Sequence, residues 1–213
     1  MENQFLDRDN AADIDQSVTK ILSDLGNPDP PLNLSEVREL LRLDRVYYSS
    51  TDQGMLGETV HRLKVAGKQI MKRPSLLVDA IKKFDLSALW LPDRKRILID
   101  REMPILKQRW GEAHEIGHSM IPWHEPLMHG DQQRTLSITC HQQIEKEANY
   151  AAGRLLFLQD RFADEVRSSD VDFKRIRTLH KTYGNTLAYN RITGYSRCGP
   201  RQHSSTRRAR AQL

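Results

Sequence analysis

Three residues in the segment "AHEIGH" have the types and spacing to act together: His114, Glu115 and His118. On a helix, residues four apart lie one above the other on the same face. His114 and His118 can therefore offer two imidazole nitrogens to one metal ion. Glu115 is rotated from His114 by about 100°, which sets its carboxylate beside the pair. That is the arrangement of a zinc hydrolase: the metal lowers the pKa of a water to about 7, and the carboxylate takes its proton. The chain contains 8 histidines, so the competing reading is a chance pairing on a helix surface. Trp110, Ala113, Gly117 and Met120 recur at helical spacing and give the helix a core side. The two histidines border that side, which favours the ligand reading.

A catalytic zinc site takes three protein ligands and keeps one position open. Glu145, Glu147, His124, His129, Asp131 and His141 are the candidates for the third. The segment "IEKEANYAAGRLL" favours Glu145. Ile144, Ala148, Ala151 and Leu155 form its buried stripe, and Glu145 shares a face with Ala148, Asn149 and Ala152, all small or polar. A carboxylate there can come close to another helix, and Asn149 can hydrogen-bond a ligand from behind. Glu147 points further round, toward Ala151 and Arg154, and is expected to be solvated or paired. His124, just past Pro122, could be a ligand, a loop residue or a group facing substrate. Tyr150, Arg154, His124 and His141 are candidate donors to an oxyanion.

These side chains need elements to hold them. Pro104 suits the first turn of a helix that carries the histidines and stops at Pro122. "LSALWL" and "RKRILID" flank the turn "PDRK" and predict an antiparallel hairpin. "RVYYSS" predicts a short strand. Helices are expected over Ile14–Leu25, with Gly26 as the stop, and in "LNLSEVRELLRL", where Asn33 or Ser35 can cap. Further helices are expected over 55–73 and in "SLLVDAIKKF". Near the end, Phe173, Ile176, Leu179 and Tyr183 fall on one helical face. Gly184 breaks that helix, and Asn185 or Thr186 could cap a second.

The charge distribution narrows the partners. The whole chain is +5 with a pI near 9.3. Six arginines (Arg191, Arg197, Arg201, Arg207, Arg208, Arg210) and no acid lie from residue 191 onward. Their six charges against a total of +5 leave residues 1–190 at −1. The basic character therefore sits in a tail. Contact with nucleic acid through that tail is the weaker reading, and a solvated terminus the stronger. The mean hydropathy is −0.65, and no apolar run reaches the ~20 residues of a membrane span. The start, "MENQFLDRDNAADID", is unlike a signal peptide. Two cysteines, Cys140 and Cys198, make no disulfide framework. A cytoplasmic protein is expected, with no membrane partner.

With these residues in view, the chain resembles the ImmA/IrrE family of metallo-endopeptidases. The resemblance rests on "RKRILID", "AHEIGH" and "IEKEANYAAGRLLF", the last similar to the family's E-x-x-A-N-x-F-A-x-x-L-L pattern. It spans roughly residues 30–193. It departs at Ala151–Ala152, where Phe–Ala is usual, and at Phe157–Leu158, where a proline usually follows the Leu–Leu pair. The resemblance implies an α+β fold. This would be a small gluzincin-like metallopeptidase with a short antiparallel sheet packed on the HExxH helix and a helical C-terminal element. It implies Zn2+ held by His114, His118 and Glu145, with Glu115 as the base. It also implies a protein substrate, a repressor with a helix-turn-helix domain. The expected organisation is an N-terminal helical or flexible extension over 1–29, the peptidase domain over 30–168, a helix-turn-helix-like element over 169–193 and a basic tail over 194–213. Two other readings compete: a regulator that binds its partner without cutting it, its zinc being structural, and another zinc hydrolase such as an amidase or deformylase.

Overall fold

The computed structural model describes residues 6–49, 88–128, 138–168 and 172–185. The expected helices over 55–73 and in "SLLVDAIKKF", the candidate ligands His129 and Asp131, and the basic tail all lie outside the described residues.

Helix α1 (Arg8–Asp24) starts where the Asp7 side chain accepts a hydrogen bond from the Asp9 N–H at 2.9 Å. Its apolar stripe, Ile14, Val18, Ile21 and Leu22, is buried. Each such side chain contributes about 1.5–3 kcal/mol when it leaves water. The helix packs against the long helix Ile138–Leu156, in the same core as the rest of the fold. Ile14, Val18, Ile21 and Leu22 thus share one core with the elements after residue 30. Gly26, at φ 75°, takes the left-handed conformation that ends α1. Helix α2 (Leu34–Leu41) is capped by Asn33, whose side chain accepts from Ser35 N–H at 3.0 Å.

The sheet has three strands among the described residues: β1 (Asp44–Tyr48), β2 (Ala88–Leu91) and β3 (Arg96–Asp100), in the order β1-β3-β2. The hairpin is as expected. β2 and β3 are antiparallel with Trp90 opposite Ile97, joined by a 3-10 turn over Pro92–Arg94 and by Lys95 at φ 46°. β1, however, runs parallel to β3, with Val46 opposite Leu98. The sheet is thus mixed, not antiparallel. Only strands joined by a tight turn must be antiparallel. β1 is separated from β3 by a long stretch of chain, so its direction is set by how that stretch returns.

Helix α3 (Ile105–Met120) follows Pro104 and stops before Pro122, as the prolines dictate. It touches β2, β3, α2 and α5, so it is enclosed on several sides. A short helix, α4 (His124–Met128), follows, then α5 (Ile138–Leu156). Gly117 of α3 lets these two long helices close up. A Cβ there would stand 2.8 Å from the Ala148 carbonyl oxygen and 3.2 Å from the Ala151 Cβ. The small residues noted on α5 meet α3 here.

Helices α6 (Arg161–Arg167) and α7 (Phe173–Tyr183) complete the described chain. Phe157, Phe162 and Tyr183 cluster, with ring centroids 4.6 Å apart for the two phenylalanines and 5.2 Å for Phe162 and Tyr183. The Tyr183 hydroxyl donates to Glu165 at 2.9 Å. Leu179 and Tyr183 are buried as the periodicity predicts, but Phe173 is exposed at the first turn of α7, with Arg177 over its ring. The first helix of the expected helix-turn-helix pair is thus joined to the core, and the second lies outside the described residues. No helix among the described residues is long and apolar enough to cross a membrane.

Candidate metal centre

Helices α3 and α5 bring three donor groups together. His114 Nε2 and His118 Nε2 are 3.1 Å apart. His114 Nε2 lies 3.2 Å from Glu145 Oε2, and His118 Nε2 lies 3.5 Å from Glu145 Oε1. A tetrahedral centre with bonds of 2.0–2.2 Å has edges of about 3.3–3.6 Å. The triangle of residues has spacings close to those edges, with the two histidines meeting different oxygens of the Glu145 carboxylate. It is closed on one side and open on the other: the His118 side chain is 2% exposed, His114 14% and Glu145 40%. An open side is what a catalytic site requires and a structural one does not.

The hydrogen bonds behind the triangle show what its centre would hold. His114 Nδ1 faces Asn149 Oδ1 at 3.2 Å. A proton on that Nδ1 leaves Nε2 as a bare lone pair. Turned inward, the two imidazole nitrogens and the carboxylate favour a positive charge among them. Burial lowers the pKa of His114, but the Glu145 hydrogen bond and the neighbouring carboxylates outweigh it and raise the pKa overall. For Glu145, burial acts upward, and the hydrogen bonds from His114 and His118 hold it well below the usual carboxylate range. Burial takes His118 down to about 4, which keeps it neutral and fit to ligate. A proton on His114 answers this demand in one way. A divalent cation with nitrogen and oxygen ligands answers it in another, and the donor set fits zinc.

Glu115 is buried, and its Oε2 accepts from the backbone N–H of Trp90 in β2 at 2.6 Å. Burial pushes its pKa up to about 7, with His114 and the Trp90 N–H pulling the other way.

Residues 64–189, more than half of the chain, match the family model described as the IrrE N-terminal-like domain, of peptidase family M78. The chain belongs to the ImmA/IrrE family. Its metallopeptidase character implies a metal cofactor, and His114, His118 and Glu145 are the residues that could hold it. A comparison with curated proteins finds no match. In this ImmA/IrrE chain the matched segment contains every residue of the triangle, while α1, α2 and β1 lie ahead of it.

The remaining sequence candidates separate. Asn149 stands behind His114. His124 does not face substrate. It is completely buried, between His118 (Nδ1 to Nδ1, 2.9 Å) and Glu147 (Nε2 to Oε2, 2.8 Å). Pro122 ends α3, and the turn that follows folds His124 back beneath it. Tyr150 and Arg154 are engaged elsewhere. The Tyr150 hydroxyl donates to Asp15 at 3.0 Å, and Arg154 pairs with Asp15 and Asp160. Their polar ends tie α5 to α1 and to the chain after α5, which argues against a role as oxyanion donors. For His141 the structure describes only its place in α5.

Of the two expectations for Glu147, solvated or paired, the structure shows the second: it is buried and hydrogen-bonded. Burial would raise its pKa, but His124, Trp123, Gln143 and Asn10 hold it down at about 2. A signal for this was present in the sequence. Glu147 is three residues after Ile144 and four before Ala151, so it belongs to the buried stripe of its helix. An acid on a buried stripe is normally paired.

Proposed function

We propose that this protein is a zinc-dependent endopeptidase with a gluzincin-like site, in which His114, His118 and Glu145 hold the metal and Glu115 is the general base. The convergence of the two imidazoles and the carboxylate, open on the Glu145 side, carries this reading. Zinc bound there supplies a Lewis acid that polarises a peptide carbonyl and acidifies a water. Glu115 takes a proton from the attacking water and later delivers it to the departing amine. A carboxyl with a pKa near neutrality suits both steps, and a cation alongside draws it toward the ionised form that acts first. Helix α3 holds base and ligands on one rigid element, and β2 fixes Glu115 through the Trp90 N–H. The family membership supports a protein substrate. The substrate we propose is a repressor with a helix-turn-helix domain, cut in the cytoplasm to release the genes it represses.

The test is Glu115→Gln in the full chain, incubated with a candidate repressor. The variant should retain zinc and lose at least about 100-fold in cleavage rate. Undiminished cleavage by the variant would remove Glu115 from the mechanism, and binding without cleavage by the wild type would favour the non-cleaving regulator.

A further inference from the structure

Glu147 is held by four donors. Its Oε1 accepts from the Asn10 side-chain amide at 2.7 Å and from Gln143 at 2.8 Å. Its Oε2 accepts from the Trp123 indole N–H at 2.6 Å and lies 2.8 Å from His124 Nε2. The indole can only donate, and a carboxylate so surrounded acts only as an acceptor. His124 Nε2 must therefore carry a proton toward Glu147. Its other nitrogen, Nδ1, faces His118 Nδ1 at 2.9 Å, and one proton must lie between them. In a neutral His124 the Nδ1 is a lone pair, so the proton belongs to His118 Nδ1. The His118 Nε2 that faces His114 and Glu145 is then bare.

We infer that the buried chain Glu147–His124–His118 is a positioning relay that fixes the tautomer and ring angle of His118 for metal binding, and that Asn10 makes the N-terminal helix part of its support. This rests on the metal-site reading above. Neither His124 nor Glu147 touches the substrate or the reacting atoms in that reading. Their effect passes through His118. The arrangement differs from that at His114, where one exposed amide, Asn149, stands behind the ring. The His118 side is dry, and reaches two residues beyond the ligand and across to α1. Because Asn10 precedes the family-matched segment 64–189, this chain supports its metal site with residues outside the matched domain.

Zinc affinity, measured by competition with a chromophoric chelator, tests this without reference to activity. Glu147→Gln and His124→Phe should weaken zinc binding about 10–100-fold, the range for partners behind a metal ligand. Asn10→Ala should weaken it by a smaller factor in the same direction. Circular dichroism of each zinc-free variant shows whether it is folded. Folded variants with wild-type affinity overturn the relay and leave the metal site intact. Should the first two variants fail to fold, Asn10→Ala and the wild type still decide. In 15N NMR of the zinc-loaded wild type, His118 must carry its proton on Nδ1 and His124 on Nε2. A proton on His118 Nε2, or a second proton on His124, overturns the relay. A wild type that takes up no zinc at all overturns both the relay and the metal-site reading.

Discussion

The backbone N–H of Trp90 donates to the Glu115 carboxylate at 2.6 Å, joining the edge of the β2–β3 hairpin to the middle of helix α3. This single polar contact does not offset the burial of the acid, whose pKa stands at about 7 against an ordinary 4.5. In the unfolded chain Glu115 releases its proton near 4.5, while in the folded, zinc-free chain it keeps the proton until about 7. Between those values the folded state binds more protons, so Glu115 makes folding less favourable as pH rises from about 4.5 to 7. Above 7 the penalty is constant, at up to about 3 kcal/mol. Glu115→Gln removes it. In chelator, urea denaturation should show the variant gaining on the wild type as pH rises through this window. Parallel curves would show that folding leaves the Glu115 pKa unchanged.

Glu145 and Glu147 are two residues apart on one helix and should differ in kind. Glu145→Ala removes a ligand and should weaken zinc binding by more than the ~10–100-fold expected for Glu147→Gln, which acts through a neighbour. Titration of both variants against the same chelator gives the order. A larger loss at Glu147 would reverse their assignment.

Gly117→Ala should destabilise the protein by about 1–3 kcal/mol, because the new methyl meets the Ala148 backbone at 2.8 Å and neither helix can yield by a side-chain rotation. Denaturant midpoints measure this. Gly117 precedes His118, so forcing α3 from α5 should also separate His118 from Glu145 and lower zinc affinity. Gly153→Ala, where a Cβ meets nothing within 4 Å, is the control and should be neutral or mildly stabilising.

Glu112 is buried between two arginines, Arg38 at 2.6 Å and Arg45 at 3.0 Å. Glu112→Ala leaves these cations without their acid and should cost about 3–5 kcal/mol. Arg45→Ala alone should cost less, because Arg38 still neutralises Glu112 and Arg45 is 30% exposed. Thermal melts of the two variants compare them. Equal losses would mean that Arg45 carries the pair.

Much of the local structure is legible in the sequence because local rules determine it. Pro104 and Pro122 frame α3, Asn33 caps α2, and "PDRK" closes the β2–β3 hairpin. The spacing of His114 and His118 places them on one face whatever the rest of the chain does, and the small residues about Glu145 mark where α5 meets another helix. The direction of β1 is not local. It depends on a long return path, and no turn sequence encodes it.

The sequence by itself determined which residues could share a metal: the i, i+4 geometry of a helix makes His114 and His118 a pair, and Glu145 projects from the small-residue face of its own helix. Only the tertiary structure decided what the other polar groups do. Glu147 is turned about 200° from Glu145 on α5, so one acid meets the histidines and the other meets Asn10, Trp123 and His124. Tyr150 and Arg154 go to Asp15 because α1 packs there. Helical periodicity gives the direction of a side chain within its element. Its partner depends on the neighbouring element, which packing of distant segments supplies.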